Sequence, residues 1–205
     1  MELSQQLRKY LIMGTENCSR NAVDILREAI KGGITAFQYR EKGDDSLRGY
    51  EKLELGMKLR KICSNNNVLF IVNDDPDLVA PLKADGIHVG QSDRKVDLLR
   101  AEFPDKIIGL SVSDDEELTK QSLEEVDYLG AGPIFPTVTK RDANPVTGTK
   151  WIRSIKESYP DLPLVGIGGI TEENAHQVIE AGADGVAVVS AVTQAANVEK
   201  AVRNL

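Results

Sequence analysis

Eight short apolar runs rich in β-branched residues recur along this chain, and each is followed by a segment with helical spacing. The runs are KYLIMG (9–14), ITAFQYR (34–40), VLFIVN (68–73), DGIHVG (85–90), KIIGLSV (106–112), VDYLGAG (126–132), LPLVGIGG (162–169) and DGVAVVS (184–190). Between the first two, Ala22, Ile25, Leu26, Ala29 and Ile30 recur at three- and four-residue steps, the period of one helix face. After the second, Leu53, Leu55, Met57, Leu59 and Ile62 are expected to do the same in a helix that is charged on its other side. After the seventh, TEEN is expected to open a helix, with Thr171 as cap, and Gly182 to close it in a left-handed conformation. Such alternation implies an α/β protein with a parallel sheet. Eight units within 205 residues predict a single (β/α)8 TIM barrel over residues 1–205, its active site at the C-terminal ends of the strands. A doubly wound open sheet more often carries a glycine-rich dinucleotide fingerprint after its first strand, and MGTENCSRN is not one. No linker rich in Gly, Ser or Pro divides the chain.

Charge and composition narrow the partners. Twenty-five Lys and Arg against 32 Asp and Glu give a net charge of −7, and no basic block stands out. Nucleic acid and anionic membrane surfaces are therefore not expected partners. There is no apolar run long enough to span a bilayer, and MELSQQLRKY lacks a signal peptide's apolar core, so a cytoplasmic protein is expected. Cys18 and Cys63 fit that compartment, and with only His88 and His176 as imidazoles a zinc site is not expected. Self-association into a homo-oligomer is left open.

Within the second run, Gln38, Arg40 and Lys42 follow at strict alternation in AFQYREKGDD. Residues two apart in a strand share a face. Unpaired cations on an interior face are costly to desolvate, so these three are expected at the barrel mouth, as one wall against an anion. FIVNDDPD brings Asn73 and Asp74 to the neighbouring strand end, with Asp75 and Asp77 as candidates for a turn and helix cap. HVGQSD adds Asp93. Two carboxylates on adjacent strand ends suit Mg2+, which takes few carboxylates and fills its shell with water and phosphate oxygens. His88, within the fourth run, is expected to be a hydrogen-bonded barrel residue.

The remaining strand ends complete the mouth. Ser111, near the end of the fifth run, is expected at the mouth, and Ser113 is expected to cap the helix opening at Asp114 to Glu117. The sixth leads into GAGPIFPTVTKRDANPVTG, an irregular stretch whose Thr137, Thr139 and Lys140 suggest a lid over residues 133–148. Gly166, Gly168 and Gly169 are expected to let backbone amides approach a ligand, and Ser190 precedes the final helical stretch. Loops after strands seven and eight commonly form a phosphate cup in these barrels. Arg40, Lys42, Lys140 and Mg2+ would balance a diphosphate, while the cup suits a monophosphate. A reaction joining a diphosphate ester to a phosphorylated partner follows, with charge on the departing diphosphate neutralised.

The segments GGITAFQYREK, FIVNDD, ADGIHVGQSD, GAGPIFPTVTK, VGIGGI and AGADGVAVVSA are similar, in order and spacing, to those of thiamine-phosphate synthases. The resemblance covers the chain from about residue 8 to 205. It implies an enzyme coupling a hydroxymethylpyrimidine diphosphate to a thiazole phosphate through a pyrimidine-stabilised cation. It also implies that Gln38, Arg40, Lys42, Asn73 and Lys140 hold the pyrimidine diphosphate and that Asp74 and Asp93 hold Mg2+. Ser111 would contact the pyrimidine or the departing group. Thr137, Thr139, Gly169, Val189 and Ser190 would hold the thiazole phosphate. Arg40, Lys42, Ser111 and Lys140 would carry the catalytic part by stabilising the leaving group, with no general base required. A thiazole tautomerase of the same fold would use a histidine after strand five, where this chain reads SVSDDEE. A silent phosphate-binding regulator would be favoured by loss of Arg40, Asp93 or Lys140, and all three are present.

Overall fold

All eight expected strands form, and they close on themselves in sequence order in the computed structural model, which describes residues 2–120, 122–137, 139 and 144–205. They are β1 (Lys9–Met13), β2 (Ala36–Tyr39), β3 (Leu69–Asn73), β4 (Gly86–Val89), β5 (Ile107–Val112), β6 (Tyr128–Ala131), β7 (Leu164–Ile167) and β8 (Gly185–Val188). Every neighbouring pair is parallel, and β1 pairs with β8 through Tyr10 and Ala187 to seal the barrel. The helices are α1 (Leu3–Gln6), α2 (Ala22–Gly32), α3 (Gly49–Asn65), α4 (Val96–Glu102), α5 (Asp115–Lys120), α6 (Thr149–Ser158), α7 (Ala175–Glu180), α8 (Ser190–Thr193) and α9 (Val198–Arg203). Only a single 3-10 turn, Pro76–Leu78, joins β3 to β4. No helix among the described residues is long and apolar enough to cross a membrane.

Period-two alternation sorts each strand between two apolar layers. Phe37 and Tyr39 face the helices, whereas Ala36 and Gln38 face the barrel axis. The inner layer includes Tyr10, Ile12, Ile71, Tyr128 and Val165; the outer one fills the space between sheet and helices. Helix α2 follows the expected pattern. Asn21 caps it by accepting from Val23 N at 2.9 Å, Gly33 ends it at φ 99°, and Ile25, Leu26 and Ala29 are fully buried. Burial of a side chain the size of Ile25 or Leu26 stabilises by about 1.5–3 kcal/mol.

Two helices depart from expectation. In α3 the buried line is Gly56, Leu59 and Cys63; Leu53 and Leu55 are half-buried and Met57 is exposed. The helix is rotated because Gly56 brings its backbone close to β2 and the β3–β4 connection, where a Cβ would lie 2.8 Å from Leu82 and 3.0 Å from Tyr39. After β7, TEEN forms a turn and α7 starts at Ala175. Thr171 supplies the carbonyl that Ala175 N bonds at 3.0 Å, and Gly182 closes the helix at φ 108° as expected.

At the N-terminal end of the barrel a polar clamp recurs ahead of every even strand. Asp85 accepts from Phe70 N and from Arg60 on α3, at 2.8 and 2.9 Å. Asp127 accepts from Ile108 N and from Arg100 on α4, at 2.7 and 2.6 Å. Asp184 accepts from Leu164 N and from Lys156 on α6, at 2.8 and 3.1 Å. Thr35 takes the same place before β2, accepting from Lys9 N at 3.0 Å. Each clamp ties an odd strand, the next even strand and, in three cases, the helix between βα pairs.

Candidate active site

Parallel closure puts the C-terminal ends of all strands at one mouth, so Gln38, Asn73, Ser111 and Ser190 share it. The expected wall of Gln38, Arg40 and Lys42 is not one flat face. The β2 ladder ends with Arg40 N donating to Met13 O at 3.0 Å, and the chain then turns about Glu41. That carboxylate is buried and accepts from Thr15 N, Thr15 Oγ1 and Leu47 N, at 2.6, 2.8 and 2.9 Å. Gln38 consequently lies one layer down, with its Nε2 donating to the Tyr10 hydroxyl at 2.9 Å. Arg40 is half-buried at the rim, and its guanidinium makes no ion pair with the described residues. Lys42 leans over the mouth toward β3 and β4.

There it meets both expected carboxylates. Lys42 Nζ lies 2.6 Å from Asp74 Oδ2 and 3.9 Å from Asp93 Oδ1. The bond to Asp74 raises the Lys42 pKa and keeps the ammonium charged. Burial, followed by the adjacent Asp74 charge, pushes the Asp93 carboxyl up, against the bond its Oδ2 accepts from Gly90 N at 2.8 Å. Asp74 sits at φ 59°, a left-handed backbone that is strained for a residue with a Cβ. Its N–H donates to His88 O at 2.9 Å, which anchors it across the two strand ends. Asp75 turns away to Lys52 at 2.7 Å, and Asp77 belongs to the 3-10 turn, so both are structural. Asn73 is half-buried at the end of β3. Among the described residues no three His, Cys, Asp or Glu side chains converge as a metal-binding group. Asp74 and Asp93 are the two carboxylates that meet Lys42 there.

Sequence reasoning missed the floor of this mouth, apart from the expectation that His88 would be a hydrogen-bonded barrel residue. His88 bridges the Tyr128 hydroxyl and Ser111 Oγ, at 2.9 Å from Nδ1 and 2.8 Å from Nε2. Burial pushes its pKa down to about 4, so the ring is neutral. Gln91, also missed, donates to Ser111 O at 2.8 Å. Glycines make the room: a Cβ at Gly109 would lie 2.2 Å from Tyr128 Cζ and 2.4 Å from His88 Nδ1.

The other side of the mouth is built from the loops after β6, β7 and β8. Ile134 N and Phe135 N donate to Ile167 O and Gly168 O, at 2.9 and 3.0 Å, and Thr147 N returns to Pro133 O at 2.9 Å. Gly168 and Gly169 have φ of 96° and 64°, and a Cβ on Gly169 would strike Pro136 O at 2.4 Å. Their close approach is to the neighbouring loop. Gly166 faces outward, where its Cβ would meet Val178 at 2.4 Å, so it serves strand–helix packing rather than a ligand. Thr139 Oγ1 donates to Ser190 Oγ at 3.3 Å, and Thr137 Oγ1 accepts from Thr139 N at the same distance. Val189 packs against the inner layer at the N-cap of α8. The cap of α5 is Asp114, which accepts from Glu117 N at 2.8 Å, and not Ser113 as expected. Ser113 N–H and hydroxyl instead donate to the Glu117 carboxylate, and Asn144 donates to Ser113 Oγ at 2.7 Å. Lys140 lies outside the described residues, as do Val138 and residues 141–143. A mixed-charge groove lined by Arg8, His176 and Glu180 lies at the opposite end of the barrel and shares none of these residues.

Comparison with known proteins finds the same chemistry by name. A family model described as thiamine monophosphate synthase matches residues 9–192. A thiamine-phosphate synthase of Oceanobacillus iheyensis is 53% identical over 97% of this chain and 97% of its own length. Thiamine-phosphate synthase 1 of Streptococcus pneumoniae is 46% identical over 97% and 96%. A solved structure, a thiamine phosphate pyrophosphorylase from Pyrococcus furiosus, superposes with a TM-score of 0.88 at 37% identity. It covers all of this chain and 96% of that one.

Proposed function

Because this chain belongs to the thiamine monophosphate synthase family, a family of transferases, we propose a specific coupling and a division of labour around the mouth. The substrates are 4-amino-2-methyl-5-hydroxymethylpyrimidine diphosphate and a thiazole phosphate. The bond between the pyrimidine methylene carbon and the diphosphate oxygen breaks, and the thiazole nitrogen captures the pyrimidine cation. Thiamine phosphate and diphosphate leave.

The observation that carries this reading is the Lys42–Asp74–Asp93 cluster beside Arg40, facing the Thr139–Ser190 contact across one mouth. Two half-buried carboxylates, Asp74 and Asp93, share the one Lys42 ammonium. After burial, the Asp74 charge adds to the upward push on Asp93, a repulsion that a cation between the two carboxylates would relieve. Hard oxygen donors of this kind fit Mg2+, and Asp74 and Asp93 would hold it. Bound there, Mg2+ would supply positive charge to the departing diphosphate. Arg40, Lys42 and Lys140 bind the diphosphate and take up its developing charge. Gln38 and Asn73 orient the pyrimidine, and Ser111 donates to the pyrimidine or the departing group. Thr137, Thr139, Gly169, Val189 and Ser190 hold the thiazole phosphate, fixing its nitrogen for attack. Cys18 and Cys63 are free thiols, which suits placement in the cytoplasm.

The test is incubation of the pure protein with both phosphorylated heterocycles and Mg2+, followed by detection of the coupled product. Excess chelator is expected to abolish coupling, and Asp93→Asn to lower it strongly with the fold intact. Full activity in chelator would remove Asp74 and Asp93 from the site, and absence of coupling would overturn the reading.

A further inference from the structure

Four hydrogen bonds run in series across the barrel interior and end at Ser111. Gln38 Nε2 donates to Tyr10, the Tyr10 and Tyr128 hydroxyls are 2.9 Å apart, Tyr128 meets His88 Nδ1, and His88 Nε2 meets Ser111 Oγ. Gln38, Tyr10, Tyr128 and His88 are all buried.

Counting hydrogens gives this series a direction. The Gln38 amide nitrogen can only donate. Tyr10 therefore accepts from it and spends its own single hydrogen on the Tyr128 oxygen. Tyr128 in turn spends its hydrogen on His88 Nδ1. A neutral imidazole has one N–H and one lone pair, so His88 carries its hydrogen on Nε2 and donates to Ser111 Oγ. The Ser111 hydroxyl hydrogen is then left over, and the mouth is where it can be used. The opposite order would bring a Tyr10 hydrogen against a Gln38 hydrogen in a buried place, where an unmet donor is costly.

We propose that Tyr10, Tyr128 and His88 are positioning residues that fix Ser111 as a hydrogen-bond donor to the pyrimidine diphosphate. Only the identity of the ligand rests on the coupling reading above; the proton order belongs to the protein alone. The space this series occupies supports the assignment. Beyond the opening at Gly109, a Cβ at Gly130 would lie 3.1 Å from His88 Cε1, so two interior positions forgo side chains where the series passes.

The chain has two histidines, so nitrogen-15 NMR with His176→Gln as assignment control reads the His88 tautomer directly. The expected state is Nε2–H in the wild type and in Tyr10→Phe, where Tyr128 still donates to Nδ1. Tyr128→Phe removes that donor and is expected to give a mixture. In the coupling assay, Tyr128→Phe is expected to lower kcat/KM for the pyrimidine diphosphate about tenfold, the size of one lost hydrogen bond. KM for the thiazole phosphate is expected to stay unchanged. Ser111→Ala added to Tyr128→Phe is expected to cost little beyond Ser111→Ala alone. An Nδ1–H tautomer in the wild type would overturn the proposal, as would wild-type kinetics in Tyr128→Phe. Should the wild type form no coupled product, the coupling reading fails, and the tautomer measurement still decides the proton order.

Discussion

Replacing His88 by glutamine should make the protein less sensitive to acid. The unperturbed imidazole titrates at 6.5, and burial in the barrel lowers this to about 4. Between those values the unfolded chain binds a proton that the folded one refuses, so stability rises with pH across the window. The stabilisation is fully present above pH 6.5, declines steadily below it, and is lost once pH passes the folded value near 4. At about 1.4 kcal/mol per pH unit the whole loss is about 3 kcal/mol. The groups facing the ring do not reverse this. Tyr10 and Tyr128 are pushed up by burial and stay neutral, while Asp93 favours the charged ring but is itself pushed toward protonation. Glutamine keeps a polar side chain in place without titrating. Urea unfolding of both proteins at steps from pH 7.5 to pH 4 gives the two stability curves. The wild type is expected to fall more steeply than His88→Gln, by about 3 kcal/mol in total, while contributions from surface carboxylates cancel in the difference. Parallel curves would refute the argument, because they would mean that His88 titrates equally in folded and unfolded chains.

Other substitutions test other parts of the fold. Gly109→Ala places a methyl group 2.2 Å from Tyr128 Cζ, with no flexible side-chain end to yield, and should cost about 1–3 kcal/mol or more by overpacking; an unchanged thermal midpoint would contradict the interior packing. Asp127→Asn loses the charge on bonds to Ile108 N and Arg100, and should destabilise by about 1.5–3 kcal/mol. Because the clamp lies at the barrel end opposite the mouth, denaturant midpoints should move while kcat for coupling does not. Ser190→Ala should raise KM for the thiazole phosphate by roughly one to two decades and leave binding of the pyrimidine diphosphate alone; equal effects on both substrates would merge the two anion sites.

The barrel itself was legible because parallel strands covered on both faces leave near-continuous apolar runs, and all eight runs became strands. Helix α2 was legible for the related reason that its buried residues are also its most apolar ones. Helix α3 was not. Its buried line depends on Gly56 and Cys63, whose small size lets the helix approach the sheet, and hydrophobicity alone points instead to the exposed Met57. The clamps were missed for another reason. Asp85, Asp127 and Asp184 look like solvated strand-end carboxylates until the closed sheet brings to each a backbone N–H from the preceding strand and a cation from the helix before that strand.

At the mouth, sequence found the charged residues but not the geometry that aims them. Strict alternation placed Gln38, Arg40 and Lys42 on one face, and that rule lasts only as long as the ladder bonds do. Beyond Arg40 the buried Glu41 carboxylate gathers three donors and bends the chain, and this bend turns Lys42 toward Asp74. Likewise, Tyr10 and Tyr128 read as ordinary strand aromatics, because β1 and β6 are not neighbours in the sheet and no spacing links them. Their contact exists only through the closed interior, where Gly109 and Gly130 leave space. Polar groups inside an apolar barrel need every hydrogen matched, and that requirement orders the series from Gln38 to Ser111. The device that aims Ser111 at the mouth is thus assembled from five strands, none of which shows it alone.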